Sequence, residues 1–243
     1  MTMPGQAVVL AAGLGMRMRP ITATMPKPLV PVAGKPLIDW GLDALAGVGV
    51  NRAAVNVHYL PDQLIAHLAR RERPAIAISD ERERLLDSGG GVVAALALLE
   101  RAPFFVLNAD TFWIDEGEAN LSRMASAFDD TLMDGLLMLA SLDQATGHDG
   151  GTDFLLDGEG RLARAPKGGR EGYVYAGAIL FHPRLFDGFD AEPHSLNRHF
   201  DRAIAAGRLF GMPMTGRWIT VGTPDVIAPA EAVVREALAG ACA

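Results

Sequence analysis

The chain has 243 residues, 49% of them apolar and 21% charged, enough for one large α/β domain or two small ones around an ordinary core. A net charge of −7 argues against a nucleic-acid surface, and the single cysteine, Cys242, makes no intrachain disulfide. The opening "MTMPGQAVVLAAG" lacks the basic and long apolar regions of a secretory leader, and no apolar run reaches the roughly 20 residues of a membrane span. A cytoplasmic location with no membrane partner is the expectation.

Residues 7–12, "AVVLAA", form the first predicted strand, and it runs into "LAAGLGMRMRPITATMPKPL" (residues 10–29), a glycine- and proline-rich loop carrying several cations. A helix is predicted from Pro36, with Leu37, Trp40, Ala44, Leu45 and Val48 on one face. A strand at 53–59 leads to a second helix from Pro61, with Leu64, Ile65 and Leu68 inward. Strands at 75–79 and 104–110 flank "LDSGGGV" (86–92) and a nearly all-apolar helix, "GVVAALALLE" (91–100). Alternating strand and helix imply right-handed crossovers and a mostly parallel sheet covered on both faces, an α/β, Rossmann-like architecture. In such sheets ligands bind beyond the carboxyl ends of the strands, where both the 10–29 loop and Asn108–Ala109–Asp110 fall.

In the second half, strands are predicted at 134–141, 152–157 and 173–182, with "DGEG" (157–160) as a turn. A helix over 195–207 has Ser195 as its cap and Gly207 as its stop. Short strands at 208–214 and 217–222 precede a final helix from Pro224 to about Ala239. No linker or internal repeat interrupts the chain, so a single domain over 1–243 is expected.

The 10–29 loop reads as an anion site. Gly13 and Gly15 allow close backbone approach, so their N–H groups can line a cradle for phosphate oxygens. Arg17 adds a planar fork and Lys27 a point charge, while Pro20, Pro26 and Pro28 stiffen the frame. Two rival glycine motifs fail. The dinucleotide fingerprint needs glycine where Met18 stands, and the Walker loop is absent.

This run resembles the signature of the sugar-1-phosphate nucleotidylyltransferases, L-A-A-G-x-G-x-R-x-x-P-x-T-x-x-x-P-K-P-L, at its fixed positions. "DSGGGV", "NAD", "YAGAILFHPRLF" and "RWITVGTPD" follow in the order that family uses. The short chain and the "DSGGG" run most resemble the N-acetylmuramate-1-phosphate uridylyltransferases. The resemblance implies a GT-A-type mixed sheet, with a nucleotide-binding half over about 1–112 and a sugar-phosphate-binding half over about 113–243. It also implies a Mg²⁺-dependent reaction of an NTP with a sugar 1-phosphate that releases pyrophosphate, here serving peptidoglycan recycling. Mannose- or heptose-1-phosphate guanylyl transfer, or a silent nucleotide-sugar sensor, are the alternatives. A monomer or homodimer is expected, with small molecules as partners and no nucleic acid.

By the same resemblance, Ala11, Ala12, Gly13, Leu14, Gly15, Met16 and Arg17 would hold the nucleotide, together with Ser88, Gly89, Gly90 and Asn108. Lys27, Asp153 and Gly177 would contact the sugar phosphate. Arg17, Lys27 and Asp110 are the catalytic candidates, with Asp110 as the Mg²⁺ ligand. One position departs from the family pattern. Where W-x-D-V-G-T is usual, this chain has "WITVGT", with Thr220 in place of a second metal-binding aspartate, and Asp225 is the nearest other acid in that stretch. Trp113 and Trp218 are read as core, Asn56 and His58 as structural. The histidines at 67, 148, 182, 194 and 199 lack metal-ligand spacing.

Overall fold

A computed structural model describes residues 3–240, and Cys242 lies outside them. The main sheet draws on both halves of the chain. Its strands are β1 (Gln6–Leu10), β2 (Arg52–Val57), β3 (Ala75–Asp80), β4 (Phe104–Asn108), β5 (Gly135–Ala140), β6 (Val174–Phe181) and β7 (Leu209–Pro213). They lie in the order β7-β5-β6-β4-β1-β2-β3. The first four run parallel, β6 is antiparallel to both β4 and β5, and β7 is parallel to β5. Six strands therefore point one way and β6 the other, a mostly parallel mixed sheet.

Helices cover both faces because consecutive strand residues alternate sides. Val9, Val55, Phe105 and Leu107 pack on one face beneath α1 (Leu37–Gly47), α2 (Pro61–Leu68) and α4 (Asn120–Ala127). Val8, Ala54, Phe104 and Val106 pack on the other beneath α3 (Asp87–Leu96) and α5 (Asn197–Ala205). A third cluster joins the signature loop to the last helix, α6 (Ile227–Gly240). Met18 and Val30 from the loop meet Phe112, Ile219, Val226 and Ala230. Buried apolar anchors thus hold the loop to the body while its Arg17 stays exposed.

Several elements differ from the sequence expectation. The first strand stops at Leu10 because the Asn56 side chain captures the next two N–H groups; Oδ1 accepts from Ala11 at 2.6 Å and Ala12 at 3.2 Å. Helix α3 starts at Asp87, so the three glycines lie inside its first turns, not before it. The strand Thr111–Ile114 and helix α4 were not expected. The strand pairs only with Arg217–Thr220, about a hundred residues away. The α4 N-terminus is held by Asp115, which accepts from the backbone N–H of Asn120 at 3.0 Å from outside the usual cap position. The short strands Ala145–Thr146 and Leu162–Arg164 are too brief to show periodicity.

Candidate active site

Two carboxyl ends meet at the site. Leu10 ends β1 and Asn108 ends the adjacent, parallel β4, with the two residues paired in register. The loops leaving them are therefore neighbours by construction. A cavity of about 290 Å³ opens between them, lined among others by Ala11, Ala12, Gly13, Lys27, Ser88 and Asp110.

The signature loop is fixed from below. Asn56, on β2, accepts from Ala11 and Ala12 and donates from Nδ2 to Glu81 Oε1 at 2.7 Å. The other Glu81 oxygen accepts from Leu86 N–H at 3.0 Å, just before α3. Both side chains are buried. One relay therefore ties the strand-one loop to the α3 entry, the two walls of the cavity. Beyond it the chain turns at Gly15, whose φ of +61° is left-handed and whose Cβ would lie only 3.0 Å from Lys27 and Thr22 side-chain carbons. The N–H groups of Gly13, Leu14 and Gly15 donate to no described residue, as an anion cradle requires.

Lys27 is largely buried, and its Nζ lies 2.5 Å from Asp110 Oδ2. This brings together the catalytic lysine and the metal-binding aspartate expected from the sequence. Arg17 is exposed on the loop beyond, next to Gly222, where a Cβ would sit 3.3 Å from its Nη1. Leu14 and Met16 are exposed apolar side chains on the same loop.

A second cavity of about 250 Å³ shares Ser88 and Asn108 with the first and is also lined by Asp153, Arg164, Tyr175 and Asn197. Asp153 Oδ2 accepts from the Tyr175 N–H at 2.9 Å. The Tyr175 hydroxyl is buried with no partner among the described residues. Burial, and secondarily the Asp110 charge, push its pKa up, so it stays a neutral donor.

Other expected site residues have different surroundings. The N–H groups of Gly89 and Gly90 both donate to His194 O, at 2.8 and 3.1 Å. A Cβ at Gly90 would come within 2.2 Å of Glu192 O. These glycines admit the 192–196 strap, and neither lines either of the two cavities. Only Ser88 of that run faces both hollows, and its Oγ accepts from Leu196 N–H at 3.0 Å. Gly177, expected to make room for the sugar, occurs with φ +80° where the β5–β6 register shifts, and its missing Cβ makes room for Thr111 Oγ1 at 2.1 Å. Thr220 ends the strand beside Thr111, Asp225 is on an exposed turn, and neither lines either of these two cavities. Trp113 and Trp218 are buried opposite each other in that small sheet.

Sequence reasoning missed Glu81, Tyr175, Arg164 and Asn197. Tyr175 had a signal, since alternation in "YVYAGAIL" puts it on the face opposite Val174 and Ala176. Among the described residues no three His, Cys, Asp or Glu side chains form a metal-binding group. A lone carboxylate still fits Mg²⁺, which is commonly held by one or two carboxylates together with substrate phosphates and water, and Asp110 offers one such hard oxygen beside Lys27.

A loop that presents free N–H groups and cations beside a carboxylate, with a polyol-sized hollow adjoining it, is laid out for transfer between two phosphorylated molecules. The fold and site define a nucleotide-dependent transferase. The chain belongs to the nucleotidyl transferase family, whose model matches residues 6–148. It is 45% identical over 240 residues to the N-acetylmuramate alpha-1-phosphate uridylyltransferase of Caulobacter vibrioides, covering 96% of this chain and 98% of the relative. Identity to the enzyme of that name from Neisseria meningitidis is 33% over 231 residues, 94% and 97% of the two chains. The structure of an inositol-1-phosphate CTP transferase from T. maritima shares the fold with a TM-score of 0.76 at 18% identity, over 97% of this chain and 98% of the other.

Proposed function

We propose that this nucleotidyl transferase uses UTP and N-acetylmuramate 1-phosphate, with Mg²⁺, to make UDP-N-acetylmuramate and pyrophosphate in peptidoglycan recycling. The observation that carries the reaction class is the junction of the two cavities across Ser88 and Asn108, with the Lys27–Asp110 pair on the phosphate side. The similarity to two N-acetylmuramate alpha-1-phosphate uridylyltransferases supports the choice of base and sugar.

The chemistry asks little of a proton acceptor. The nucleophile is a sugar-phosphate oxygen, already anionic near neutral pH. It forms a bond to the α-phosphorus, the bond from that phosphorus to the bridging oxygen breaks, and the electron pair leaves with pyrophosphate. The obstacle is repulsion between two polyanions, so positioning and charge neutralisation supply the rate. The free N–H groups of Gly13 to Gly15 and the Arg17 guanidinium would hold the β- and γ-phosphates. Lys27 would exchange its carboxylate partner for an α-phosphate or sugar-phosphate oxygen. Asp110, with the phosphates and water, would hold Mg²⁺, which supplies charge neutralisation at the phosphates when bound. Asp153 would hold the sugar in the hollow that Tyr175 lines, and the Asn56–Glu81 relay keeps the cradle in place.

The test is pyrophosphate release from each of the four NTPs with N-acetylmuramate, N-acetylglucosamine, mannose and heptose 1-phosphates. The expected result is highest kcat/KM with UTP and the muramate phosphate. Activity confined to GTP with mannose or heptose phosphate refutes the substrate choice. Absence of turnover with every pair, with UDP-sugar still bound, refutes the enzyme reading.

A further inference from the structure

We infer that Arg164 is a specificity-determining residue that receives the lactyl carboxylate of the acceptor and so separates muramate from glucosamine. The inference rests on the proposed function. N-acetylmuramate is N-acetylglucosamine carrying a lactic-acid ether on the sugar, so the two acceptors differ by one short arm ending in a carboxylate. A site that chooses between them needs a cation in the sugar hollow, away from the phosphate cradle.

The second cavity contains one. Among its lining residues Arg164 is the only cation and Asp153 the only anion. The two come from facing strands of a small antiparallel hairpin and its entry: Arg164 pairs with Phe154, and Asp153 directly precedes it. The guanidinium is held firmly. Its Cζ lies over two aromatic rings, 4.9 Å from the Phe154 centroid and 5.6 Å from that of Phe200. Nε donates to Asp201 Oδ1 at 2.9 Å and Nη2 to Asn197 Oδ1 at 2.9 Å. Nη1 donates to no described residue. A guanidinium whose other donors are pinned and whose Nη1 is open in a polar hollow is organised in advance to take a carboxylate.

Charge placement supports the same assignment. Asp153 suits hydroxyl and amide donors of the sugar and repels a carboxylate; Arg164 is itself paired with Asp201, its Nη2 2.8 Å from Oδ1, so an anionic arm is received through the open Nη1 and not by an unbalanced charge. Lys27 lines the first cavity and not this one. A neutral sugar would leave Nη1 with water alone. A simple structural clamp between the hairpin and α5 would need only the contacts to Asp201, Asn197 and the two rings.

The experiment compares kcat/KM for N-acetylmuramate 1-phosphate and N-acetylglucosamine 1-phosphate, with UTP, in the wild type, Arg164→Met and Arg164→Lys. The expected result is a wild-type preference for the muramate phosphate that falls about tenfold in Arg164→Met, the scale of one partly exposed charge-assisted contact. Arg164→Lys should fall between, since it keeps the charge without the fork. A role confined to packing would depress both substrates in proportion and leave their ratio unchanged, and that result overturns the inference. So does a wild type without preference. In the wild type alone, the lactyl amide of the muramate phosphate should lose about the same factor, which keeps the test decisive if Arg164→Met fails to fold; an undiminished kcat/KM for the amide also overturns the inference. A wild type silent with the muramate phosphate refutes the proposed function itself, and this inference with it. A wild type active on it whose preference survives Arg164→Met refutes this inference alone.

Discussion

Gly90→Ala sets helix propensity against packing, and the two predict opposite signs. Gly90 lies within α3, where alanine is worth about 1 kcal/mol more than glycine on propensity alone. The added Cβ, however, would lie 2.2 Å from Glu192 O, 3.0 Å from the carbonyl carbon and 3.1 Å from Leu86 Cβ. Two of these atoms are backbone, so the 192–196 strap has to move by roughly an ångström, and overpacking of this kind costs about 1–3 kcal/mol. Moving the strap also strains the bonds from Gly89, Gly90 and Leu196 N–H to His194 O and Ser88 Oγ, each worth about 1 kcal/mol. The net expectation is a loss of about 2–4 kcal/mol, or a Tm lower by roughly 4–16 °C for a chain of this length. Because the strap carries Ser195 and Leu196 into the second cavity and leads directly to Asn197, KM for the sugar phosphate should rise more than KM for the NTP. Gly47→Ala, at the end of α1 with nothing within 4 Å of its Cβ, is the control that should keep any propensity gain. The assays are thermal melts and separate KM values. A Gly90→Ala protein as stable as the wild type, or more so, would refute the steric account of the glycine run.

Asn56→Ala leaves the N–H groups of Ala11 and Ala12 without their acceptor and the buried Glu81 without a donor. The expected cost is about 3 kcal/mol or more in urea unfolding, with a raised KM for NTP; an unchanged KM would show that the relay does not position the loop. His199 is fully buried, and its pKa is lowered to about 4, first by burial and then by the neighbouring His194. The unfolded chain thus takes up a proton near pH 6.5 that the folded chain refuses until about 4, so this stability is full above 6.5 and declines as pH falls through that window. The loss should approach about 3 kcal/mol at pH 4, read from urea midpoints, and His199→Gln should flatten the slope; an equal slope in the variant refutes the assignment. Thr220→Asp should lower the Mg²⁺ concentration giving half-maximal turnover, and no change would mean that a second ligand is not supplied from that strand.

The sheet and its binding edge were legible because short apolar runs, buried on both faces, alternate along the chain with longer amphipathic segments, and because Gly13, Gly15 and the prolines at 20, 26 and 28 mark the loop unmistakably. Lys27 and Asp110 could be named separately, but nothing in their 83-residue separation announces contact; β1 and β4 bring them together only as neighbours in the sheet. The "SGGG" run was visible, whereas its use was not. Gly89 and Gly90 accommodate a strap a hundred residues downstream and Gly91 the Asn56–Glu81 pair, and a missing Cβ gives no hint of what fills its place. Gly177 teaches the same lesson at the bulge against Thr111. Arg164 and Tyr175 were hidden for another reason, since each reads as an ordinary strand residue until the hairpin folds over β6 and the two share one hollow.

The Lys27–Asp110 pair has a consequence that separates its two charges. The Lys27 side chain is 11% exposed and that of Asp110 is 38% exposed, so the ammonium depends on its partner more than the carboxylate does. Asp110→Ala strands a nearly buried cation; Lys27→Met keeps the apolar stem and leaves a carboxylate that water can reach. Both variants should lose turnover, but Asp110→Ala should cost about 1–3 kcal/mol more in stability, below the 3–5 of a fully buried pair because Asp110 is part exposed. Adding Lys27→Met to Asp110→Ala should recover most of that loss. The same asymmetry governs binding. In the wild type a phosphate has to compete with Asp110 for Lys27 and approach a like charge, whereas in Asp110→Ala the ammonium awaits a partner. With Mg²⁺ chelated, UTP should therefore bind Asp110→Ala roughly two- to fivefold more tightly than the wild type by calorimetry, the scale of a part-exposed ion pair. Equal or weaker binding would show that Lys27 does not pass from the carboxylate to the phosphate, and the electrostatic account of the site would fail at its centre.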